Sequence, residues 1–112
     1  MSRDYRVYLD DILQAIRQIY KYTEGMDFGS FNKDDKTFDA VVKNLEVIGE
    51  AAKNIPESVR VKSKDVEWQK IAGLRDILVH EYFGIDVEIV WDIVKNKLPT
   101  LQNQLETILS QK

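Results

Sequence analysis

The stretch RDILVHEYFGID, Arg75 to Asp86, decides how this chain is read. An apolar helical pattern leads into it from Trp68, and Gly84 closes that pattern. It holds the only histidine of the chain, His80, with Arg75 five residues before it and Tyr82 two residues after it. Histidine titrates near neutral pH, so it can both take and give a proton. Arginine is a permanent cation with a planar fork that fits phosphate oxygens. Together they are a minimum kit for phosphate chemistry without a metal, and the rest of the chain is expected to be its scaffold.

Working outward, the apolar spacing predicts helices throughout. The first starts after Ser2 or Asp4, either of which can cap it. Tyr5, Tyr8, Leu9, Ile12, Ile16 and Ile19 form its stripe, and Gly25 is its left-handed stop. Met26 to Lys36, rich in glycine, serine, asparagine and aspartate, is predicted to be a loop with Phe28 and Phe31 pinned to the core. A second helix begins near Asp34 or Asp35 and buries Phe38, Val41, Val42, Leu45, Ile48, Ala52 and Ile55. Gly49 interrupts that stripe at a cost of about 1 kcal/mol relative to alanine, which implies close approach by another helix. Pro56 ends the helix, and the basic link to Asp65 carries Arg60, Lys62 and Lys64.

The third helix is predicted from near Asp65, with Val66, Ile71, Leu74, Leu78 and Val79 inward. Asp86 should cap a fourth, with Ile89, Val90, Ile93 and Val94 inward. Pro99 either opens a fifth helix or kinks a long fourth. Leu101, Leu105, Ile108 and Leu109 continue the stripe. No segment alternates with period two. The expectation is all-α: one domain over residues 1–112, an up-and-down bundle of four to five helices. Trp91, Ile89 and Ile85 widen the apolar arc of the fourth helix, which points to a surface shared with a second copy; a well-filled monomer core is the other account of it.

Composition narrows the function. With 44% hydrophobic and 31% charged residues in 112, this is a folded chain and not a disordered one. A net charge of -3 argues against broad attraction to nucleic acid while allowing a local basic site. There is no cysteine, hence no disulfide frame or thiolate zinc site, as expected of a cytoplasmic protein. The charged opening MSRDYRVYLDD has no signal-peptide character, and no apolar run is long enough for a membrane span.

An ideal helix turns about 100° per residue, so Arg75 and Tyr82 share a face while His80 stands about 140° round from Arg75. Either the helix unwinds near His80 or a partner chain supplies the other wall of the cleft. Cleaving RNA through its own 2′-hydroxyl requires one group to remove that proton and another to protonate the departing 5′-oxygen. A symmetric dimer would bring two histidines and two arginines; otherwise Tyr82, a lysine or water does the second job. Structural roles remain open for the same residues. A lone histidine is favoured at a helix C-terminus by the dipole, and Arg75 can pair with Glu81 or with a carboxylate of the second helix.

RDILVHEYFGID resembles the Arg-x4-His-x-Tyr signature of HepT-like toxins in the HEPN superfamily. The flanks carry the resemblance over most of the chain: YLDDILQAIRQIYKYTEGMDFGSF, then TFDAVVKNLEVIGEAAKNIP (Thr37 to Pro56), then VEWQKIAGLRDILVHEYFGIDVEIVWDIVKNKLP (Val66 to Pro99). The resemblance implies a dimerising helical bundle and a metal-independent ribonuclease that needs no cofactor. It implies Arg75 and His80 as the catalytic pair, with Asp76 at the supporting polar position. It implies a toxin–antitoxin partner, an MntA-type nucleotidyltransferase, that attaches AMP to Tyr82. The RNA-docking surface stays undefined, with Lys62, Lys64 and Lys70 as candidates. A competing expectation is a non-catalytic helical companion that presents substrate to a separately encoded nucleotidyltransferase, since related domains serve that way.

Other signals carry less. Gly29-Ser30 with Asp34 and Asp35 lacks the spacing and the strand of a nucleotidyltransferase site. Glu46 and Glu50 lie one turn apart, but no histidine or second carboxylate pair joins them at metal-ligand spacing. A solvated or arginine-paired face is the simpler account of those two.

Overall fold

Four aspartates open four of the helices by the same chemistry, each accepting from a backbone N–H that the first turn would leave without a partner. The computed structural model describes residues 4–80 and 86–111, apart from the side chains of Ile77, Val79 and His80. Asp4 accepts from the Arg6 N–H at 2.9 Å and starts α1, Tyr5–Thr23. Gly25, at φ +76°, turns the chain away after it. Asp34 accepts from the Thr37 N–H and hydroxyl at 3.0 and 2.8 Å and starts the central helix, Asp35–Lys53. Asp86 accepts from the Glu88 N–H at 2.8 Å and starts the last helical run.

Between α1 and Asp34 the structure departs from the expected loop. Phe28–Lys33 is a six-residue helix, α2. Asp27 accepts from the Ser30 N–H at 2.8 Å, and Ser30 Oγ accepts from the Asp27 N–H at 3.1 Å. This reciprocal box offsets the poor helix propensity of FGSFNK. The predicted anchoring holds: Phe31 is fully buried, 4.9 Å from the Trp91 ring and 6.0 Å from Phe38. Phe28 meets Trp91 edge-on at 6.5 Å. Trp91, read from sequence as part of a face for a second copy, therefore packs within its own chain.

The central helix, α3 (Asp35–Lys53), lies between α1 and the helix that carries the key stretch, α5 (Trp68–His80). A one-turn helix, α4 (Glu57–Arg60), follows Pro56. Arg60 folds back from it, donating from Nε to Ile55 O at 3.0 Å and from Nη2 to Ala52 O at 2.8 Å. It thus satisfies carbonyls at the end of α3 and serves the fold. The third long helix begins three residues later than predicted. Val66 is buried in a turn in which Val66 N–H donates to Ser63 O, and Gln104 clamps Asp65 O from the far side at 3.0 Å.

After Asp86, α6 (Val87–Asp92), a π-helical segment (Ile93–Lys97) and α7 (Leu98–Ser110) follow without a break. Pro99 thus distorts a long fourth helix. It has no N–H for the carbonyl four residues back, and the backbone takes the wider i to i−5 pattern, Leu98 N–H donating to Ile93 O. Leu101 and Leu105 are buried as predicted, and Leu98 joins them, whereas Ile89 is 60% exposed, against its predicted inward position. The core gathers Leu9, Ile12, Ile16 and Ile19 of α1 with Val41, Val42, Leu45 and Ile48 of α3 and Val90, Val94 and Leu105 of the last run. Among the described residues there is no strand, so the bundle is all-α, and none of their helices is long and apolar enough to cross a membrane.

Candidate functional site

Arg75 sits mid-way along α5, where its backbone packs directly against Gly49 of α3. A Cβ built on Gly49 would stand 2.7 Å from Arg75 Cβ and 2.8 Å from its backbone nitrogen. Only a hydrogen fits there, which is the close approach that the glycine implied. The side chain then leaves the contact for the surface, where it is 37% exposed. Nε meets Glu50 Oε2 at 3.2 Å, and Nη1 meets Asp76 Oδ1 at 3.2 Å. The guanidinium is open to solvent and held by two carboxylates. One of these comes from α3, as the structural account of Arg75 allowed.

The helix keeps its turn through His80, its last residue. Along the backbone His80 is thus about 7.5 Å further on and about 140° round from Arg75. No unwinding brings the two positions onto one face before the helix ends. The His80 side chain, Glu81 and Tyr82 lie outside the described residues. Asp76, exposed, stands beside Arg75 as expected.

The basic candidates divide. Lys70 is tied to Glu67 at 2.8 Å, and this pairing raises the lysine pKa and lowers that of the carboxyl. Lys62 and Lys64 are exposed. A shallow depression of about 440 Å³ is lined by Arg60, Lys64, Trp68 and Lys70 together with Glu57 and Glu67, so it mixes both charges. A groove of about 420 Å³ runs between α3, α5 and α7, lined by Leu45, Ile71, Leu74, Ile93 and Leu101. Neither has Arg75 in its lining. Among the described residues no group of three or more His, Cys, Asp or Glu is placed to hold a metal ion. Glu46 and Glu50 do not form such a group, and Glu50 is the arginine-paired carboxylate that the simpler account required.

A helical bundle with an open arginine at its surface, and a histidine five residues on along the same helix, is consistent with the HEPN-like class that the sequence resembles. Comparison with known proteins narrows the class. Residues 12–108 match the family described as "Ribonuclease HepT-like", and the chain belongs to that family. It is 49% identical over 108 residues to the protein named "Putative RNase MJ0127" of Methanocaldococcus jannaschii, spanning 96% of this chain and 89% of that one. It is 41% identical over 108 residues to the protein named "Probable ribonuclease HepT" of Thermococcus cleftensis, spanning 96% and 98%. No solved structure matches the chain.

Sequence reading anticipated the close helix contact at Gly49, and it weighed Glu50 without its partner. It missed the capping role of Arg60. The one available signal was its place five residues beyond the end of an apolar stripe that stops at Pro56.

Proposed function

We propose that this chain is a metal-independent endoribonuclease, the toxin of a toxin–antitoxin pair, that acts on cytoplasmic RNA as a homodimer. The observation that carries the reading is Arg75: in a chain of this family, the motif arginine is exposed and directed by fixed neighbours, not sealed in the core. His80 of one copy takes the proton from a ribose 2′-hydroxyl as that oxygen attacks phosphorus. Arg75 stabilises the crowded anionic phosphorane. The bond from phosphorus to the 5′-oxygen breaks, and protonated His80 of the second copy gives its proton to the leaving oxygen. The products are a 2′,3′-cyclic phosphate and a 5′-hydroxyl. The angle of about 140° between Arg75 and His80 along one helix supports a cleft walled by two copies.

Control falls to Tyr82. A partner nucleotidyltransferase of the MntA type transfers AMP to the phenol oxygen, and the added phosphodiester and adenosine block the cleft beside Arg75. A second reading, the non-catalytic companion of a nucleotidyltransferase, is favoured by one observation: two carboxylates already flank the arginine.

Two experiments decide between these. His80→Ala should remain folded by circular dichroism yet lose RNA cleavage and growth arrest on expression, and parental cleavage should persist in EDTA. A His80→Ala protein as toxic as the parent refutes the nuclease reading, and loss of activity in EDTA refutes metal independence. Incubation with ATP and the partner should add AMP to Tyr82 and abolish cleavage, whereas Tyr82→Phe should escape silencing. Silencing of Tyr82→Phe would mean control by contact and not by covalent marking.

A further inference from the structure

We infer that Glu50 is a positioning residue for Arg75, fixing the direction in which the guanidinium meets phosphate. The inference rests on the proposed catalytic role of Arg75 and extends it to a residue on another helix. An arginine on a helix surface has a long stem with many rotamers, and a phosphorane is stabilised only by a donor already aimed at it. Asp76 cannot aim it alone. It is the next residue on the same helix, so its grip on Nη1 moves with α5 and leaves the group free to swing as a unit. Glu50 belongs to α3, and its 3.2 Å contact with Nε ties the guanidinium to the centre of the bundle.

Glu50 follows Gly49 directly, and Gly49 is where the Arg75 backbone presses on α3. Two adjacent residues of α3 thereby fix both ends of one arginine: Gly49 its backbone, Glu50 its head. Nε and Nη1 each meet a carboxylate, so the guanidinium is held from two sides. Both partners are open to solvent, Glu50 at 57%, so the pair adds little to stability. An ion pair that contributes little to folding, at the head of the motif arginine, has orientation as its remaining use.

The test uses the purified full chain and a fluorophore–quencher single-stranded RNA oligonucleotide. Glu50→Ala should lower kcat about 10- to 100-fold, the scale set by small misplacements of a reacting group, with KM within a few-fold of the parent and an unchanged Tm. Glu50→Asp, which keeps a carboxylate on α3 for the ion pair with Nε, should recover part of that rate. In an Arg75→Ala background, Glu50→Ala should have no further effect. A second readout needs no turnover: 15N relaxation should show the Arg75 Nε–H vector more ordered in the parent than in Glu50→Ala. Parental or faster cleavage by Glu50→Ala, or an unchanged order parameter at Nε, overturns the inference. Should Arg75→Ala itself cleave normally, the catalytic reading of Arg75 fails first. Should Arg75→Ala be dead while Glu50→Ala is normal, only the role of Glu50 falls.

Discussion

Replacing Gly49 with alanine places a methyl group 2.7 Å from Arg75 Cβ and 2.8 Å from its backbone nitrogen. Neither atom can swing aside, because both belong to or sit on the α5 backbone. Ordinary contact begins near 3.4 Å, so the helices must part by about 0.7 Å. Overpacking a tight contact costs typically about 1–3 kcal/mol, and the rigid obstacle puts this site near the top of that range. Alanine in place of a mid-helix glycine returns about 1 kcal/mol. The net loss is about 2 kcal/mol, or a fall in Tm of about 8 °C for a domain of this length. Gly73 supplies the control within α5. A Cβ there meets nothing within 4 Å, so Gly73→Ala should raise Tm by about 4 °C. Differential scanning calorimetry on both variants at neutral pH reads the difference in sign. Because Gly49→Ala also shifts the turn that carries Arg75, RNA cleavage should fall about tenfold in the variant at temperatures where it is fully folded. A Gly49→Ala protein as stable as the parent would refute the close-contact reasoning.

Two further outcomes follow from the same geometry. The Asp34 carboxyl is held below its ordinary pKa by hydrogen bonds from the Thr37 backbone N–H and hydroxyl. A depressed carboxyl contributes stability that is complete above its unfolded pKa, about 4, and is lost as pH falls through its folded value. Asparagine still caps but does not titrate. The Tm advantage of the parent over Asp34→Asn should therefore be constant from pH 8 to about pH 5 and close below about pH 4; an advantage still constant at pH 2 contradicts it. In a freely exchanging mixture of parental and His80→Ala protein, RNA cleavage should fall as the square of the parental fraction, because a cleft that uses both histidines needs both copies intact. If cleavage falls only in proportion to that fraction while native mass spectrometry shows mixed dimers, each site is made from one chain.

The fold was legible wherever a helix states its own period and its own ends. Asp34 and Asp86 cap where the apolar stripes begin, Gly25 stops the first helix, and Leu101 and Leu105 point inward as their spacing requires. These are local facts, decided within a turn or two of backbone. The failures share the opposite property. FGSFNK has loop composition and becomes helical because Asp27 and Ser30 cap each other and Phe31 finds Trp91, sixty residues on. Ile89 has the type and spacing of a core residue, yet it stands 60% exposed, since a helical period does not say how wide an arc the neighbouring helices cover. The turn before Trp68 is set by Gln104 reaching Asp65 O from α7. The candidate site divides along the same line. Residue type marked Arg75, the family resemblance marked Asp76, and a glycine out of place marked the contact beneath them. That Glu50 would be the carboxylate to take Nε depends on the rotation of α3 against α5, and no periodicity encodes that rotation.

The five-residue spacing itself bears on how such a site is built. Side chains that act together from one helix are three, four or seven residues apart, because those spacings share a face. Five residues is among the poorest choices for convergence, and α5 keeps its regular turn to His80. Arg75 is in turn held toward Glu50 on α3, and its backbone packs directly on Gly49. A helix that carries its arginine and its histidine at positions about 140° apart is badly arranged for a cleft of its own. The same helix suits a cleft between two copies, where divergence within each chain becomes convergence across a two-fold axis. On that view, Gly49 and Glu50 hold half of the site in readiness, and the second copy supplies the other half.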